Sequence, residues 1–250
     1  MSLARDLALC ACLEVLEMEK APLHVRPVWE ALSVACLKLK ELSLSHCSLV
    51  PRSLPGLVLL LSEGCLTSLS INNLSYFRDE VGPHFDEPGG IAFGDALRAN
   101  KRLTALVLKD VQLWGVLPAG LAVINGVVGH TTLQKLQIES NTLAVEKRQL
   151  VGDVLGRLIA VRGALNDLWL RFCDLADVGL RPLLQALPGN ANLRMLILLG
   201  DNEICTSEFA GEVLDAVCQN TSLCILCLED KFPELEAAQT FVSQRLSSRR

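Results

Sequence analysis

The sequence predicts an α/β solenoid of about eight stacked units, each formed by a short strand followed by a helix. Three observations predict it. A leucine pattern recurs eight times, its copies begin 26 to 37 residues apart, and apolar residues at helical spacing follow most copies. Half of the 250 residues are hydrophobic but only 4% are aromatic, so aliphatic side chains must fill the core. Such a core is typical of similar layers stacked on one another.

The strand of each unit is defined by apolar residues at offsets 0, +3 and +5, all of them Leu, Ile or Met. Alternate residues of a strand face opposite sides. The leucines therefore point into the core, and the residues at +2, +4 and +6 line the open face of the stack. The eight patterns begin at Leu13, Leu39, Leu66, Leu103, Leu133, Leu165, Leu193 and Leu223.

Offset +8 is predicted to turn the chain after the strand. Cys47, Asn141 and Cys173 occupy it, and we expect their side chains to satisfy backbone groups of the turn. A buried free thiol behaves there as a small hydrophobe with a weak donor.

The second half of each unit is predicted to be a helix, as shown by the leucines within 180–187. Three of these helices close on Ala-(Leu/Val)-x-x-Asn, at Asn100, Asn190 and Asn220. We attribute the asparagine to the left-handed backbone that often ends a helix. The helix within 114–129 is rich in Gly, Ala and Val, which predicts a thin, closely packed helix.

These long units, with Cys or Asn at +8 and an A-L-x-x-N-x-x-L ending, resemble ribonuclease-inhibitor-type leucine-rich repeats over residues 8–235. The resemblance implies a horseshoe with parallel strands on the concave face and helices on the convex face. It also implies a protein-binding module. We expect one domain over residues 1–250. Residues 1–12 form an N-terminal cap, 13–232 the repeats, and 233–250 a capping helix and tail.

The third unit carries an insertion at residues 76–90, with two Pro, three Gly and five charged residues. This composition predicts a loop. Insertions in solenoids project from one face and often make contacts, so Phe77 and Phe85 are candidate binding residues. A tolerated surface insertion without a binding role is the alternative.

The predicted concave face changes character along the chain. In the first three units its residues are mostly polar, whereas the last three units carry Trp, Met, Ile and Leu. An exposed apolar cluster typically marks an interface, and Trp and Arg often anchor one. The alternative is that the tail, with Phe232, Phe241 and Val242, folds over this cluster. The predicted partner-binding residues here are Trp169, Arg171, Met195, Ile197, Leu199 and Ile225.

Composition excludes several classes of function. A net charge of −5 argues against nucleic-acid binding, and no apolar run is long enough to span a bilayer. Residues 7–13 resemble a short signal-peptide core, but three glutamates follow at once. The ten cysteines form no regular framework, so we expect a reducing, cytoplasmic setting.

The sequence also lacks signatures of catalysis. Cys224 and Cys227 have zinc or redox spacing, but residues three apart in a strand face opposite sides, which favours packing. We expect no metal, no cofactor and no enzymatic activity. The predicted function is a protein–protein interaction scaffold or a subunit of a larger complex. The alternatives are a regulator of a partner enzyme, as a nuclease inhibitor or a GTPase activator, and a substrate adaptor of a ubiquitin ligase.

Overall fold

A computed structural model of the chain describes residues 12–21, 23, 28–29, 32, 38–47, 54–72, 85–200, 202, 204–229 and 231–247. The chain folds as two compact units, Met1–Val127 and Val128–Arg250, and from here on "unit" means one of these two parts and not a single repeat. Both alternate strands with helices, and within both the strands run parallel. The predicted leucine-rich α/β repeat fold is therefore confirmed.

In the first unit, consecutive strands pair in register, so that Leu42 lies beside Leu69 and Leu69 beside Leu106. The strands described here are β1 (Val15–Glu19), β2 (Glu41–Ser45), β3 (Ser68–Asn72) and β4 (Ala105–Lys109). The helices described here are α1 (Leu54–Glu63), α2 (Glu87–Ala99) and α3 (Leu117–Val127).

The second unit repeats this arrangement, with Leu136 beside Leu168 and Leu168 beside Leu196. Its described strands are β5 (Lys135–Glu139), β6 (Asp167–Arg171), β7 (Met195–Leu199) and β8 (Ile225–Cys227). Its described helices are α4 (Arg148–Ala160), α5 (Ala176–Ala186), α6 (Ser207–Gln219) and α7 (Pro233–Ser247), with a 3-10 turn at Val145–Lys147. Among the described residues, no helix is both long and apolar enough to cross a bilayer.

The leucine rows form the core, as predicted. From Leu39 onwards every residue at offsets 0, +3 and +5 is buried. In the first repeat Leu13 and Leu16 are only half-buried, and the predicted cap at residues 1–12 lies outside the described residues except for Cys12. Truncating one of the buried leucines to Ala is expected to cost about 2–5 kcal/mol of unfolding free energy.

After the six strands whose offset +7 the structure describes, the turn begins at that offset, one residue before the predicted position. Its residue adopts a left-handed backbone with φ between 48° and 76°. The N–H of this residue continues the ladder to the next strand, as Phe172 N does to Leu199 O at 2.9 Å. The left-handed residues at this offset are Lys20, His46, Asp110, Ser140, Phe172 and Gly200.

The side chains at offset +8 contact backbone carbonyls of the turn and of the preceding strand. This confirms the prediction that the two cysteines satisfy backbone groups of the turn. The Cys47 thiol lies 3.4 Å from both Met18 O and Ser45 O, and the Cys173 thiol lies 3.4 Å from Ile138 O and 3.3 Å from Arg171 O, so each thiol has an acceptor in its own turn and one in the preceding strand. Burial raises the pKa of the Cys47 thiol and raises that of Cys173 to about 12, so both keep the proton they donate. Asn141 also serves its own turn, because its amide donates to Glu139 O at 2.9 Å.

The asparagines that follow the helices have a different role from the predicted one. Asn100 and Asn220 are extended, with φ of −64° and −71°, so the expected left-handed conformation is wrong. The Asn220 amide donates to Leu187 O at 2.7 Å, in the preceding helix layer. Its Oδ1 accepts from Ser222 N at 2.9 Å and Leu223 N at 2.7 Å. The asparagine is therefore required for hydrogen bonds that join one repeat to the next.

Close glycine contacts set the helix spacing in both units. A Cβ added to Gly126 of α3 would lie 2.2 Å from the Gly94 carbonyl oxygen of α2, which confirms the predicted tight packing. In the second unit a Cβ on Gly152 would lie 2.4 Å from Gly179 O. Backbone therefore packs directly on backbone in each of these helix pairs.

The last helix, α7, packs against α6 and β8. Leu235, Ala238 and Val242 are its buried residues, and the Gln239 Oε1 accepts from Leu228 N at 3.0 Å, just beyond β8. Phe241 remains 36% exposed. The buried side of α7 thus covers the end of the second unit.

Candidate protein-binding face

The second unit presents one side of its sheet away from the leucine core, and we name it the β5–β8 face. It consists of the residues at offsets +2, +4 and +6, which lie in register across the four strands. Its members within the strands are Lys135, Gln137, Glu139, Asp167, Trp169, Arg171, Met195, Ile197, Leu199, Ile225 and Cys227, and Glu229, at offset +6 of the last repeat, follows β8.

Trp169 is the largest side chain of this face and lies half-buried on it. The Lys135 Nζ lies over the indole ring, 4.5 Å from its centroid. Such a cation–π contact stabilises by about 0.5–1 kcal/mol at an exposed site. The indole Nε1 is buried without a hydrogen-bond partner. The ring is therefore held on one side by a cation and leaves an apolar surface beside Ile197.

Ile197 differs from the prediction, because it is only 8% exposed. Trp169 and Cys227 flank it in the neighbouring strands, and Met195 and Leu199 flank it along its own strand. The large neighbours shield it, so Ile197 forms the floor of the apolar area and is not itself an exposed contact. Met195 and Leu199 are half-buried, and Ile225 is 39% exposed.

Arg171 is the cation at the other end of β6, paired in register with Glu139. The Glu139 side chain is 6% exposed and accepts from the Gln137 amide at 2.8 Å. The Arg171 Nη1 lies 3.6 Å from Glu139 Oε2, which is too long for a hydrogen bond. The Arg171 Nε is buried without a hydrogen-bond partner. Glu139 balances the charge of this guanidinium, but the guanidinium N–H groups still lack a hydrogen-bond acceptor.

Phe172 is a candidate contact that the sequence interpretation missed. It is 40% exposed and has a left-handed backbone with φ of 53°, which is uncommon for a bulky residue. Its ring occupies the space that a side chain at position 200 would need, since a Cβ on Gly200 would lie 2.3 Å from its Cδ1. The same left-handed backbone occurs at offset +7 of other repeats, as at His46 and Ser140, so it belongs to the repeat and places the ring at this surface. The signal was a lone aromatic residue at offset +7.

Phe85 is not available to a partner. It is 1% exposed, and its ring lies 5.5 Å from that of Phe93 in α2. The chain enters α2 at this point, where Asp86 caps the helix by accepting from Gly89 N at 2.9 Å. The predicted role of Phe85 in binding is wrong because its ring fills the core. Phe77 lies outside the described residues.

The corresponding side of β1–β4 is more polar. Ser43, Ser70 and Asn72 are half-exposed there, and Glu41 is exposed. The largest apolar residues on this side are Val15 and Val107. The same offsets thus carry short polar or charged side chains in most of the first unit, whereas in the second unit the large apolar side chains lie on β6, β7 and β8.

The two cysteines near β8 have different surroundings. Cys224 donates its thiol proton to Ser222 O at 3.3 Å, and Cys227 is half-buried on the β5–β8 face. Within the part of the chain that the structure describes, no three His, Cys, Asp or Glu side chains are grouped to hold a metal ion.

Solved structures that are similar to the chain include two from the leiomodin and tropomodulin proteins. A structure of actin-binding site 2 of leiomodin-1 has a TM-score of 0.47 and 14% sequence identity, covering 73% of this chain and 82% of that one. The tropomodulin C-terminal domain of Caenorhabditis elegans also has a TM-score of 0.47, with 13% identity, covering 78% of this chain and 94% of that one. No family model and no curated protein matches the sequence.

Proposed function

We propose that this chain is a non-catalytic protein-binding module that recognises its partner through the β5–β8 face together with Phe172. One observation carries the proposal. Trp169, Leu199, Ile225 and Phe172 place apolar surface at solvent, whereas β2 and β3 of the first unit carry Ser, Asn and Glu at the corresponding strand positions.

The energetics favour binding through this face. Large aromatic and arginine side chains anchor interfaces, and truncating an anchor typically costs about 2 kcal/mol or more of binding free energy. The parallel strand ladders hold these side chains on fixed backbone, so little ordering entropy is lost when a partner binds. Trp169 is also oriented in advance by Lys135.

An inhibitor of a basic enzyme is the second candidate. Glu17, Glu19 and Glu41 are exposed on β1 and β2, and such carboxylates steer a positively charged partner. In this version of the function the first unit makes the decisive contacts, so the two candidates predict different binding surfaces.

Site-specific photo-crosslinking separates the two candidates. A benzoylphenylalanine placed at Leu199 reports on the β5–β8 face, and one placed at Ser43 reports on the polar face of the first unit. We expect the Leu199 probe to give one stoichiometric adduct in cell extract, which excess unlabelled wild-type chain abolishes. An adduct formed only from Ser43 would favour the inhibitor of a basic enzyme and contradict the proposal.

A further inference from the structure

We infer that the partner presents an acidic side chain to Arg171, next to a bulky apolar side chain that packs on Phe172 and Leu199. This inference rests on the proposed function and specifies the chemistry of the segment that binds. The occupant is an internal peptide segment of another protein, in which Asp or Glu neighbours a large apolar residue.

The hydrogen-bond donors of Arg171 favour a carboxylate as the partner group. Its guanidinium donates no hydrogen bond to any residue that the structure describes, and its Nε is buried without a partner. An unpaired buried donor is unfavourable, and a guanidinium carries five N–H donors in a planar fork that matches a carboxylate. The terminal N–H groups lie on a partly exposed side chain, and a carboxylate of the partner would accept from them.

Glu139 does not already fill this role. Its carboxylate is held by the Gln137 amide at 2.8 Å and is almost completely buried. It therefore lowers the local charge but leaves the guanidinium donors without a hydrogen bond. The Arg171 side chain remains 33% exposed, so an incoming carboxylate can reach its terminal N–H groups.

The other charges of the face direct the acidic group to the Arg171 end. Lys135 and Asp167 lie side by side in register on β5 and β6, so an added carboxylate there would face an existing one. Lys135 is engaged with the Trp169 ring. Beside Arg171, by contrast, the residue in register on β7 is the apolar Leu199.

The left-handed turn places the apolar contact beside this cation. The Arg171 Cζ lies 5.6 Å from the centroid of the Phe172 ring, although consecutive residues of a strand normally face opposite sides. The ring is 40% exposed. Neighbouring residues of a peptide can therefore place a carboxylate on Arg171 and an apolar side chain on Phe172.

A chain-terminal carboxylate fits less well than an acidic side chain. Terminal carboxylates are typically captured by groups of free backbone N–H donors. At this end of the sheet the Ser140 N–H donates to Arg171 O and the Phe172 N–H donates to Leu199 O, both at 2.9 Å. These donors are already used, so the side chain of Arg171 must provide the recognition.

Peptide titration of the full chain, followed by the indole and backbone amide NMR signals, tests the inference. The probes are the acetylated and amidated peptides Leu-Glu-Leu-Phe and Leu-Gln-Leu-Phe, and the acetylated glutamine peptide with a free carboxyl terminus. We expect the capped glutamate peptide to shift the Trp169 indole signal and to bind about tenfold more tightly than either glutamine peptide, because a charge-assisted hydrogen bond is gained.

Arg171→Gln should remove the preference for glutamate and leave the weaker apolar binding. Arg157→Gln, which removes an equal charge from the exposed side of α4, should keep the preference. Three peptide results would overturn the inference, namely equal binding of the capped glutamate and glutamine peptides, preference for the free terminus, and no binding of any peptide. An unchanged preference in Arg171→Gln would overturn it too. A crosslinked partner that needs Trp169 and Ile225 but not Arg171 would overturn it and leave the proposed function intact.

Discussion

The two units share one scaffold but differ in the surface they place on it. Each has parallel strands over buried leucine rows, a left-handed residue after the strands, and one pair of helices in direct backbone contact. Their open strand faces differ, with Ser43 and Ser70 on one and Trp169 and Ile225 on the other. The comparison teaches that the repeat pattern specifies the scaffold, whereas the residues between the leucines decide what each unit can bind.

The largest expected effect tests whether the units share their helix packing. Gly126→Ala in the first unit and Gly152→Ala in the second should each lower the free energy of unfolding by about 3 kcal/mol, because the added methyl group meets a carbonyl oxygen of the facing helix. Urea denaturation measures both. Gly211→Ala, whose methyl group meets nothing within 4 Å, is the control and should not destabilise. A tolerated substitution in only one unit would break the shared-scaffold account.

The asparagine links should also stabilise both units alike. Asn100→Ala and Asn220→Ala each remove a buried amide with several hydrogen bonds, so a loss of about 2 kcal/mol is expected. Asn192→Ala removes an exposed amide bonded to Gly163 O and provides the control, with a loss below about 1 kcal/mol. Thermal denaturation followed by circular dichroism decides the matter. Equal small losses at all three positions would contradict the role given to the links.

The buried thiol of the second unit predicts a pH dependence. The pKa of Cys173 is raised to about 12 from 9.0, so the folded chain keeps the proton after the unfolded chain has lost it. Its contribution is complete below pH 9 and is lost as pH rises from 9 towards 12, by about 1.4 kcal/mol at pH 10. The decline should be smaller in Cys173→Asn, a residue that Asn141 shows to be compatible with this offset. An unchanged decline would assign the effect to other groups.

The smallest expected change in the free energy of unfolding is that of Phe172→Asn in the second unit. This substitution separates the contribution of Phe172 to stability from its contribution to binding. Phe172→Asn relieves a left-handed aromatic residue, since Asn tolerates this backbone well, but it also loses the ring contact over Gly200. We expect the free energy of unfolding to change by only about 0.5 kcal/mol, while affinity for the partner falls about tenfold. A large loss of stability with unchanged affinity would give Phe172 a purely structural role.

Much of the fold was predictable because it depends on periodic burial. Leu42, Leu69 and Leu106 follow the pattern and lie in register in the core. The role of Cys47 was also predictable from its fixed place in the turn. The role of Asn100 was mistaken because its bonds go to Leu61 O in another repeat, a contact that helix-ending preferences do not contain.

The candidate site was predictable only in part. The alternation of a strand correctly placed Trp169 and Arg171 on the open face, but exposure depends on neighbours across strands. Ile197 lies between Trp169 and Cys227 of the neighbouring strands and is only 8% exposed, and Phe85 turns into the core beside Phe93. Phe172 reaches the same surface only through a left-handed backbone, which the leucine pattern alone does not reveal.

The most direct test of the central claim is the dissociation constant for the purified crosslinked partner, measured by calorimetry with two matched variants. Trp169→Ser/Ile225→Ser gives the second unit the polar character of the first, whereas Ser43→Ala/Ser70→Ala alters the first unit alone. The account predicts that the Trp169/Ile225 variant raises the dissociation constant about 30-fold or more and that the Ser43/Ser70 variant leaves it unchanged. Unchanged affinity in the Trp169/Ile225 variant, or a loss confined to the Ser43/Ser70 variant, would contradict it.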